Sequence, residues 1–293
     1  MRIGALVPNS GRWPLEIGIP SLARTLEAAG FQSLWVSDHI VLPETIESHY
    51  PFAADGRATW PTDTPYIDAL IALALIAAAT EKAAIGTAVL VLPLRHPVVF
   101  AKQAASIDVA SGGRLKLGVG AGWLREEFEA LGVPFEGRGG RLVEWMQIAR
   151  DCWTGRPPAR SSERYTLPAG VLALPRPAHE IPFLVGGHSP VALRRAGRRA
   201  DGWLAQQSLS QLDPDELAAG VAAVRAAAEE AERDPASLEV ILRLVDSAGR
   251  GDEIARALPA LAAAGVDEIV VNVDWEADDA QAELGRMRAG TPA

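Results

Sequence analysis

Four short segments of this sequence combine residue types that can do chemistry. The first is Pro182-Phe183-Leu184-Val185-Gly186-Gly187-His188-Ser189-Pro190. An apolar run passes into two glycines, after which Ser189 and Pro190 suit the N-cap and first residue of a helix. Glycine lets the backbone come close to a ligand. A helix N-terminus adds free N–H groups and the positive end of a dipole. Gly186, Gly187, His188 and Ser189 can therefore hold a phosphate without a lysine. Taken alone, the segment serves equally well as a tight strand-to-helix turn. The second segment, Trp35-Val36-Ser37-Asp38-His39, closes an apolar run with two polar groups. A histidine titrates in the physiological range and can move a proton. Asp38 and His39 are adjacent, so their side chains diverge and form no ready-made dyad. The plainer alternative has Asp38 capping a turn and His39 buried with its hydrogen bonds satisfied.

The third segment runs Gly86-Thr87-Ala88-Val89-Leu90-Val91-Leu92-Pro93, and the fourth Gly118-Val119-Gly120-Ala121-Gly122-Trp123, followed by Glu126-Glu127-Phe128. Small residues at Thr87, Ala88, Gly120, Ala121 and Gly122 permit close approach of a flat ligand. Ordinary strand packing accounts for the third segment as well. A flexible turn accounts for the fourth, with Glu126 and Glu127 on a solvated helix face. Other chemistries lack their residues. Of Lys82, Lys102 and Lys116, only Lys116 falls on a strand, and early in it, which disfavours a Schiff-base lysine. The five histidines are dispersed, with no metal-binding pair closing the first strand. No GxSxG nucleophile turn occurs. Glycine-lined space beside a phosphate-type turn, without lysine, metal or nucleophile, points to a bound organic cofactor.

Alternating elements must position these segments. Strands are expected over Arg2–Pro8, Ser33–Ser37, Ala84–Leu92, Leu115–Gly120, Pro182–Gly186, Gly202–Gln206, Leu238–Val245 and Glu268–Val273. Helices are expected over Leu15–Ala29, Ile67–Thr80, Val98–Ala110, Arg141–Trp153, Val191–Arg199, Asp215–Arg233, Asp252–Ala264 and Asp278–Met287. About eight strand-then-helix units match a closed (β/α)8 TIM barrel. A doubly wound sheet would carry a glycine fingerprint after its first strand, and Val7-Pro8-Asn9-Ser10-Gly11 has none. Polar residues at the C-terminal ends of barrel strands face the active site. Two connections exceed simple loops. Pro43–Tyr66 falls on the C-terminal side, where lids sit, and Gly155–Ile181 reads as a short β-excursion.

Bulk properties agree. The chain has 293 residues and is 48% hydrophobic, enough for the core of one barrel. A net charge of −9 disfavours nucleic acid and anionic membrane as partners. The single cysteine, Cys152, falls on the apolar stripe Leu142, Trp145, Met146, Ala149, Trp153, so it reads as core packing in a reducing cytoplasm. The longest apolar stretch, Ala69 to Ala79, is too short to span a bilayer.

The segments Ser33–His39, Gly86–Gln103, Ser111–Gly132 and Ile181–Trp203 resemble the luciferase-like monooxygenase superfamily, and within it the coenzyme F420-dependent branch. The likeness covers nearly the whole chain. Its most specific runs are Gly86 to Pro97 and Ser111 to Trp123. It implies one (β/α)8-barrel domain over residues 1–293, with an insertion before the fifth barrel strand that matches Gly155–Ile181. It implies F420, or alternatively FMN, with its tricyclic ring across the barrel mouth. Ala88-Val89 matches a non-prolyl cis peptide that bulges against the ring. Gly186 and Gly187 match the backbone around the phosphate, and Asp38 and His39 the pair at the reactive edge.

The implied activity is hydride transfer between F420 and a small organic substrate. The alternatives are an FMN-dependent two-component monooxygenase and a non-catalytic flavin-binding protein. Candidate proton-transfer residues are His39 and Asp38. Cofactor candidates are Thr87, Ala88, Val89, Gly120, Ala121, Gly122, Glu126, Gly186, Gly187, His188 and Ser189. Asn9, Trp60 and Trp123 are candidates for the substrate pocket, and no metal is expected. A homodimer fits the superfamily. Two departures stand out against the sugar-phosphate dehydrogenases of the branch. Trp123 replaces their glutamate after the strand-4 glycines, and Pro43 falls where they carry a tryptophan. Their substrate chemistry is therefore not carried over, and Trp123 is expected to shape an apolar pocket.

Overall fold

The computed structural model describes residues 1–53, 55–58, 60–277 and 279–288. Its strands are β1 (Arg2–Leu6), β2 (Ser33–Val36), β3 (Ala84–Val91), β4 (Leu115–Gly120), β5 (Arg160–Ser161), β6 (Thr166–Leu167), β7 (Phe183–Gly186), β8 (Gly202–Ser208), β9 (Glu239–Val245) and β10 (Glu268–Val271). Eight of them close into a barrel in the order β1-β10-β9-β8-β7-β4-β3-β2. Its neighbours are parallel, and β1 seals the ring, with Arg2 opposite Glu268 on one side and Ala5 opposite Leu34 on the other. The (β/α)8 barrel is thus the fold. The remaining strands, β5 and β6, form an antiparallel pair within Gly155–Ile181, the β-excursion ahead of the fifth barrel strand.

The helices are α1 (Trp13–Glu16), α2 (Ile19–Ala29), α3 (Ala69–Ala79), α4 (Pro97–Ala110), α5 (Arg125–Ala130), α6 (Arg138–Trp153), α7 (Pro190–Arg199), α8 (Pro214–Glu229), α9 (Gly251–Ala263) and α10 (Ala280–Arg288). Side-chain caps start several of them. Asp68 accepts from the N–H groups of Leu70 and Ile71, Ser189 from Ala192, and Asp213 from Asp215 and Glu216. Each supplies an acceptor for N–H groups that have no partner within the helix. The single helix expected over Leu15–Ala29 is two, because Gly18 sits at φ +84° and Pro20 opens a new first turn. Helix α5 was not anticipated; at six residues it is too short to display an apolar period. The last helix was expected from Asp278, which lies outside the described residues.

Inside the barrel, Trp35, Ala88, Leu184, Leu204, Ile241 and Val270 pack as one cluster, with Leu6 and Val89 against it. Trp35 fits because β3 has no side chain at Gly86. A Cβ there would lie 2.5 Å from the indole ring. Below this layer, the N-terminal end of the barrel is closed by a polar knot. Buried Glu268 accepts from Arg2 Nε at 3.0 Å, from Trp35 Nε1 at 3.2 Å and from the Ser33 hydroxyl, and Lys116 bonds to Glu239 at 2.7 Å. Lys116 therefore belongs to the closed end, away from the mouth. Cys152 is buried on α6, as its stripe suggested.

Candidate active site

Beyond the inner layer lies a cavity of about 1010 Å³ at the C-terminal end of the barrel. Its floor is Val89 from β3, Gly120 from β4, Gly186 from β7, Leu204 and Gln206 from β8, and Arg243 from β9. The Ala88–Val89 peptide is cis, and the β3–β4 register shifts between Thr87 and Leu90. Val89 thereby wedges between two glycines. A Cβ on Gly120 would lie 2.8 Å from one Val89 methyl, and one on Gly186 2.9 Å from the other. The two glycines are what let this bulge occupy the middle of the floor.

His39 lines the cavity and is held from behind. Its Nδ1 lies 3.1 Å from Glu127 Oε2, while Glu127 Oε1 accepts from the N–H groups of Ile40 at 2.6 Å and Val41 at 3.3 Å. Glu127 is only 1% exposed. A carboxylate only accepts, so Nδ1 carries a proton and Nε2 is the nitrogen left for a ligand. Asp38 has a different task. Its Oδ1 accepts from Arg95 Nη2 at 2.7 Å and its Oδ2 from Val91 N at 2.9 Å. Arg95 also donates to Asp68 at 2.9 Å, tying the end of β2 to the start of α3. Burial pushes the Asp38 carboxyl up, while Arg95 and the Val91 N–H pull against that shift. Both oxygens are occupied, so Asp38 ties β2 to Arg95 and the end of β3.

The lid Pro43–Tyr66, of which Ala54 and Thr59 lie outside the described residues, roofs the cavity with aromatic rings. Tyr50 meets Trp60 and Trp123 edge-on, with centroids 5.1 and 5.0 Å away, and His39 meets Trp123 at 90° and 6.2 Å. Hydrogen bonds beside the cavity help to hold the lid. Glu126 accepts from Glu47 N at 2.7 Å, Ser48 N at 2.9 Å and the Ser48 hydroxyl at 2.6 Å. Gln206 Nε2 donates from the floor to the Tyr50 hydroxyl at 3.3 Å.

At the other end the cavity becomes cationic. It reaches Gly187, Ser189 and Ala192 at the start of α7, together with Arg138 from α6 and Arg195 from α7. Arg138 Nε donates to Gly122 O at 2.9 Å, and its guanidinium sits 3.7 Å over the Phe135 ring. Arg195 lies against α6 because Gly139 has no side chain; a Cβ there would be 2.4 Å from its Nη2. Burial, and then the charge of Arg138, pull Arg195 below its ordinary value. Two neighbouring cations beside a helix N-terminus are an arrangement that can hold an anion. His188 stands next to it as a neutral group. Burial lowers its pKa against the pull of Glu216. Gln206 N donates to its Nε2 at 3.0 Å, so the ring proton sits on Nδ1, towards Glu216.

Most sequence candidates meet in this cavity: Asp38, His39, Trp60, Ala88, Val89, Gly120, Ala121, Gly122, Trp123, Gly186, Gly187, His188 and Ser189 all line it. Three are corrected. Thr87 points away and donates to Gly118 O at 2.7 Å. Glu126 holds the lid and does not reach the cavity wall. Asn9 bonds to the Ser37 and Ile67 carbonyls at 2.8 and 2.9 Å, and lines a separate cavity of about 410 Å³ beside Trp13, Asp246 and Asn272. Glu127, Arg138, Arg195, Gln206 and Arg243 were missed. Glu127 resembled a surface acid, and isolated arginines carry no local motif. The Gly137–Gly140 segment at the start of α6 was the signal available, since Gly139 makes room for Arg195.

The comparisons with known proteins agree with this geometry. The model of the luciferase-like monooxygenase family matches residues 18–289. An uncharacterised protein of Mycobacterium tuberculosis (strain ATCC 25618 / H37Rv) is 39% identical over 221 residues, 75% of either chain. An F420-dependent glucose-6-phosphate dehydrogenase of Amycolatopsis mediterranei (strain U-32) is 32% identical over 212 residues, 71% of this chain and 58% of that one. Among solved structures, an F420-dependent secondary alcohol dehydrogenase in complex with an F420–acetone adduct superposes with a TM-score of 0.77 at 18% identity, covering 98% of this chain and 99% of that one. The F420-dependent tetrahydromethanopterin reductase of Methanopyrus kandleri gives 0.71 at 19% identity, over 99% and 98%. At these identities the two structures speak for the fold. With its matched family model and its closed barrel, the chain belongs to the luciferase-like monooxygenase family of enzymes.

Proposed function

We propose that this protein is an F420-dependent oxidoreductase that transfers a hydride between the deazaflavin and a small organic substrate. One observation carries the reading: a single cavity joins an anion site at one end to a carboxylate-held histidine under an aromatic roof at the other. The F420-dependent activities named for the relatives support the choice of cofactor, with FMN as the alternative.

The residues fit such a group. Ligand cavities span about 300–1,000 Å³, and this one, at about 1010 Å³, has room for a phosphorylated ring system with a substrate beside it. Gly120 and Gly186 leave the floor beside Val89 without side chains, as a flat ring requires. Arg138, Arg195 and the α7 N-terminus would take the phosphate. When bound, the cofactor supplies the hydride chemistry. The protein contributes orientation, exclusion of water and a proton. The aromatic lid confines the substrate over the floor and keeps water out. Neutral His39 accepts a proton at Nε2, and protonated His39 donates it there, so one residue serves either direction of hydride transfer. Glu127 keeps that nitrogen turned to the cavity. The reading keeps the expected localisation, a cytoplasmic enzyme working on a dissolved small molecule. It also leaves a homodimer as the expected assembly, to be measured by sedimentation.

The test is a titration of the purified protein with F420 and, separately, with FMN, followed by fluorescence. F420 is expected to bind. Binding of FMN alone would move the assignment to a two-component monooxygenase, and binding of neither to a non-catalytic protein. The variant Gly187→Leu is expected to lose F420. Gly187 sits at φ +116°, where L side chains are strained, and even a Cβ would come within 3.0 Å of Ala192.

A further inference from the structure

We propose that Arg243 is the substrate anchor of this enzyme, and that the substrate is a flat, unsaturated organic acid whose carboxylate binds there. The proposal rests on reading the cavity as an F420 site, in which the phosphate end already has its own cations.

Arg243 belongs to β9 two residues beyond Ile241 of the inner layer, so its side chain enters the floor of the cavity. It crosses to the opposite strand, where Nη1 donates to Ala88 O at 2.6 Å. Its Nε is buried without a hydrogen-bond partner. Among the described residues no carboxylate lies within ion-pair distance of it. Tyr66 and Tyr50 are its only electrostatic partners that oppose the effect of burial. Burial pulls its pKa below the ordinary arginine value.

Two other arginines at this end of the barrel have carboxylate partners. Arg95 has Asp38 and Asp68, and Arg125 has Glu136 at 2.9 Å. Arg138 and Arg195 face each other at the phosphate end. Of the lining residues Asp38 alone carries a carboxylate, and Arg95 holds it. A buried cation without a counter-charge is costly, and the cost is relieved when a ligand brings the missing anion. A permanent charge with a planar fork of donors suits a carboxylate.

A second feature points the same way. The Trp60 indole N–H, on the roof of the same cavity, is also buried without an acceptor. Both residues that carry these unpaired donors line the cavity, one at its floor and one at its roof. Between them stand the rings of Tyr50, Tyr66 and Trp123, which suit a flat apolar body. A charged sugar phosphate would meet these rings with its hydroxyls. A conjugated acid presents them with a π-face and leaves its oxygens to Arg243.

The experiment uses cinnamate and its neutral isostere cinnamamide as probes, titrated calorimetrically into the F420-loaded protein. Cinnamate is expected to bind at least tenfold more tightly than the amide. In Arg243→Gln the preference should fall to within twofold, while F420 affinity changes less than threefold. Arg243→Lys should keep part of the preference. Equal binding of acid and amide to the unaltered protein, or no binding of the acid, overturns the proposal without any variant. A preference that survives Arg243→Gln also overturns it. So does a tenfold loss of F420 affinity in that variant with the preference unchanged, since Arg243 would then serve the cofactor ring. If F420 itself does not bind, the cofactor reading fails. The same acid–amide comparison on the cofactor-free protein then still decides for or against Arg243.

Discussion

His39 has one nitrogen turned to Glu127 and one to the cavity, and this asymmetry is what its chemistry depends on. His39→Ala should leave F420 affinity unchanged and slow turnover by about 10²-fold or more, the scale of general acid–base catalysis. Unchanged kcat would remove His39 from the reaction. Glu127→Gln makes a finer test. Glutamine still offers an oxygen to the Ile40 and Val41 N–H groups, but sets an N–H donor where the carboxylate accepted from His39. The ring then loses its orientation without a large loss of packing. We expect kcat to fall roughly 10-fold or more, with KM and F420 affinity nearly constant, because outer-shell partners typically matter at the 10- to 100-fold level. An equal rise in KM would indicate a general distortion of the pocket instead. The sequence displayed Asp38 and His39 side by side and Glu126 and Glu127 side by side. It could not show that His39 is hydrogen-bonded to Glu127, since that contact spans 88 positions. Adjacent residues diverge on a strand end and on a helix alike. Asp38 therefore turns to Arg95 while His39 faces the ligand, and Glu126 turns to the lid while Glu127 turns inward.

At the scale of elements, the short helix α5 is the joint between lid and floor. It carries Glu126 to the lid and Glu127 to His39, so lid position and proton-transfer geometry share six residues. Burial raises the Glu126 pKa, but the Ser48 hydroxyl and the N–H groups of Glu47 and Ser48 outweigh it and hold the carboxyl below its ordinary value. The sign of the pH effect follows. A carboxyl whose folded pKa is depressed contributes stability that is complete above the unfolded value, near 4.3 for glutamate, and is lost as pH falls through the lower folded value. The lid should thus stay pinned from neutral pH down to about pH 4 and loosen only below. Hydrogen exchange over residues 43–53 measures this directly, and loosening already near pH 6 would contradict it. Glu126→Ala should show the loosened exchange at neutral pH, with a higher KM and an intact barrel. The barrel strands were legible because buried parallel strands read as short apolar runs between turn residues. The existence of a lid was also legible, from a connection too long for a loop. Its anchors beside the cavity were not, because they are long-range hydrogen bonds, to Glu126 on a helix too short to announce itself and from Gln206 on a strand.

At the scale of the whole molecule, the two ends of the barrel hold opposite polar arrangements. The N-terminal end pairs Arg2 and Lys116 with Glu239 and Glu268. The C-terminal end keeps Arg138, Arg195 and Arg243 without carboxylates within ion-pair distance among the described residues. The closed end thus pairs its charges within the protein, while the open end, under the proposed function, offers three cations to ligands. This division predicts how stability responds. At F420 concentrations of 100 times its Kd, linkage adds about 2.7 kcal/mol. For a chain of 293 residues, with an unfolding entropy of about 2.1 cal/mol/K per residue, that corresponds to a rise in Tm of roughly 4 °C. The rise should shrink at 1 M salt, where the Debye length drops to about 3 Å. Arg195→Gln separates ligand completion from simple packing. Removing a cation that burial and the charge of Arg138 already disfavour should leave the Tm of the cofactor-free protein equal or slightly raised, while the F420-induced rise becomes smaller and F420 affinity falls about tenfold, or about 1.4 kcal/mol. Scanning calorimetry with and without F420 reads both quantities. A cofactor-free Tm lowered by several degrees, with the F420-induced rise intact, would make Arg195 part of the scaffold and shift the phosphate site to Arg138 and the α7 N-terminus.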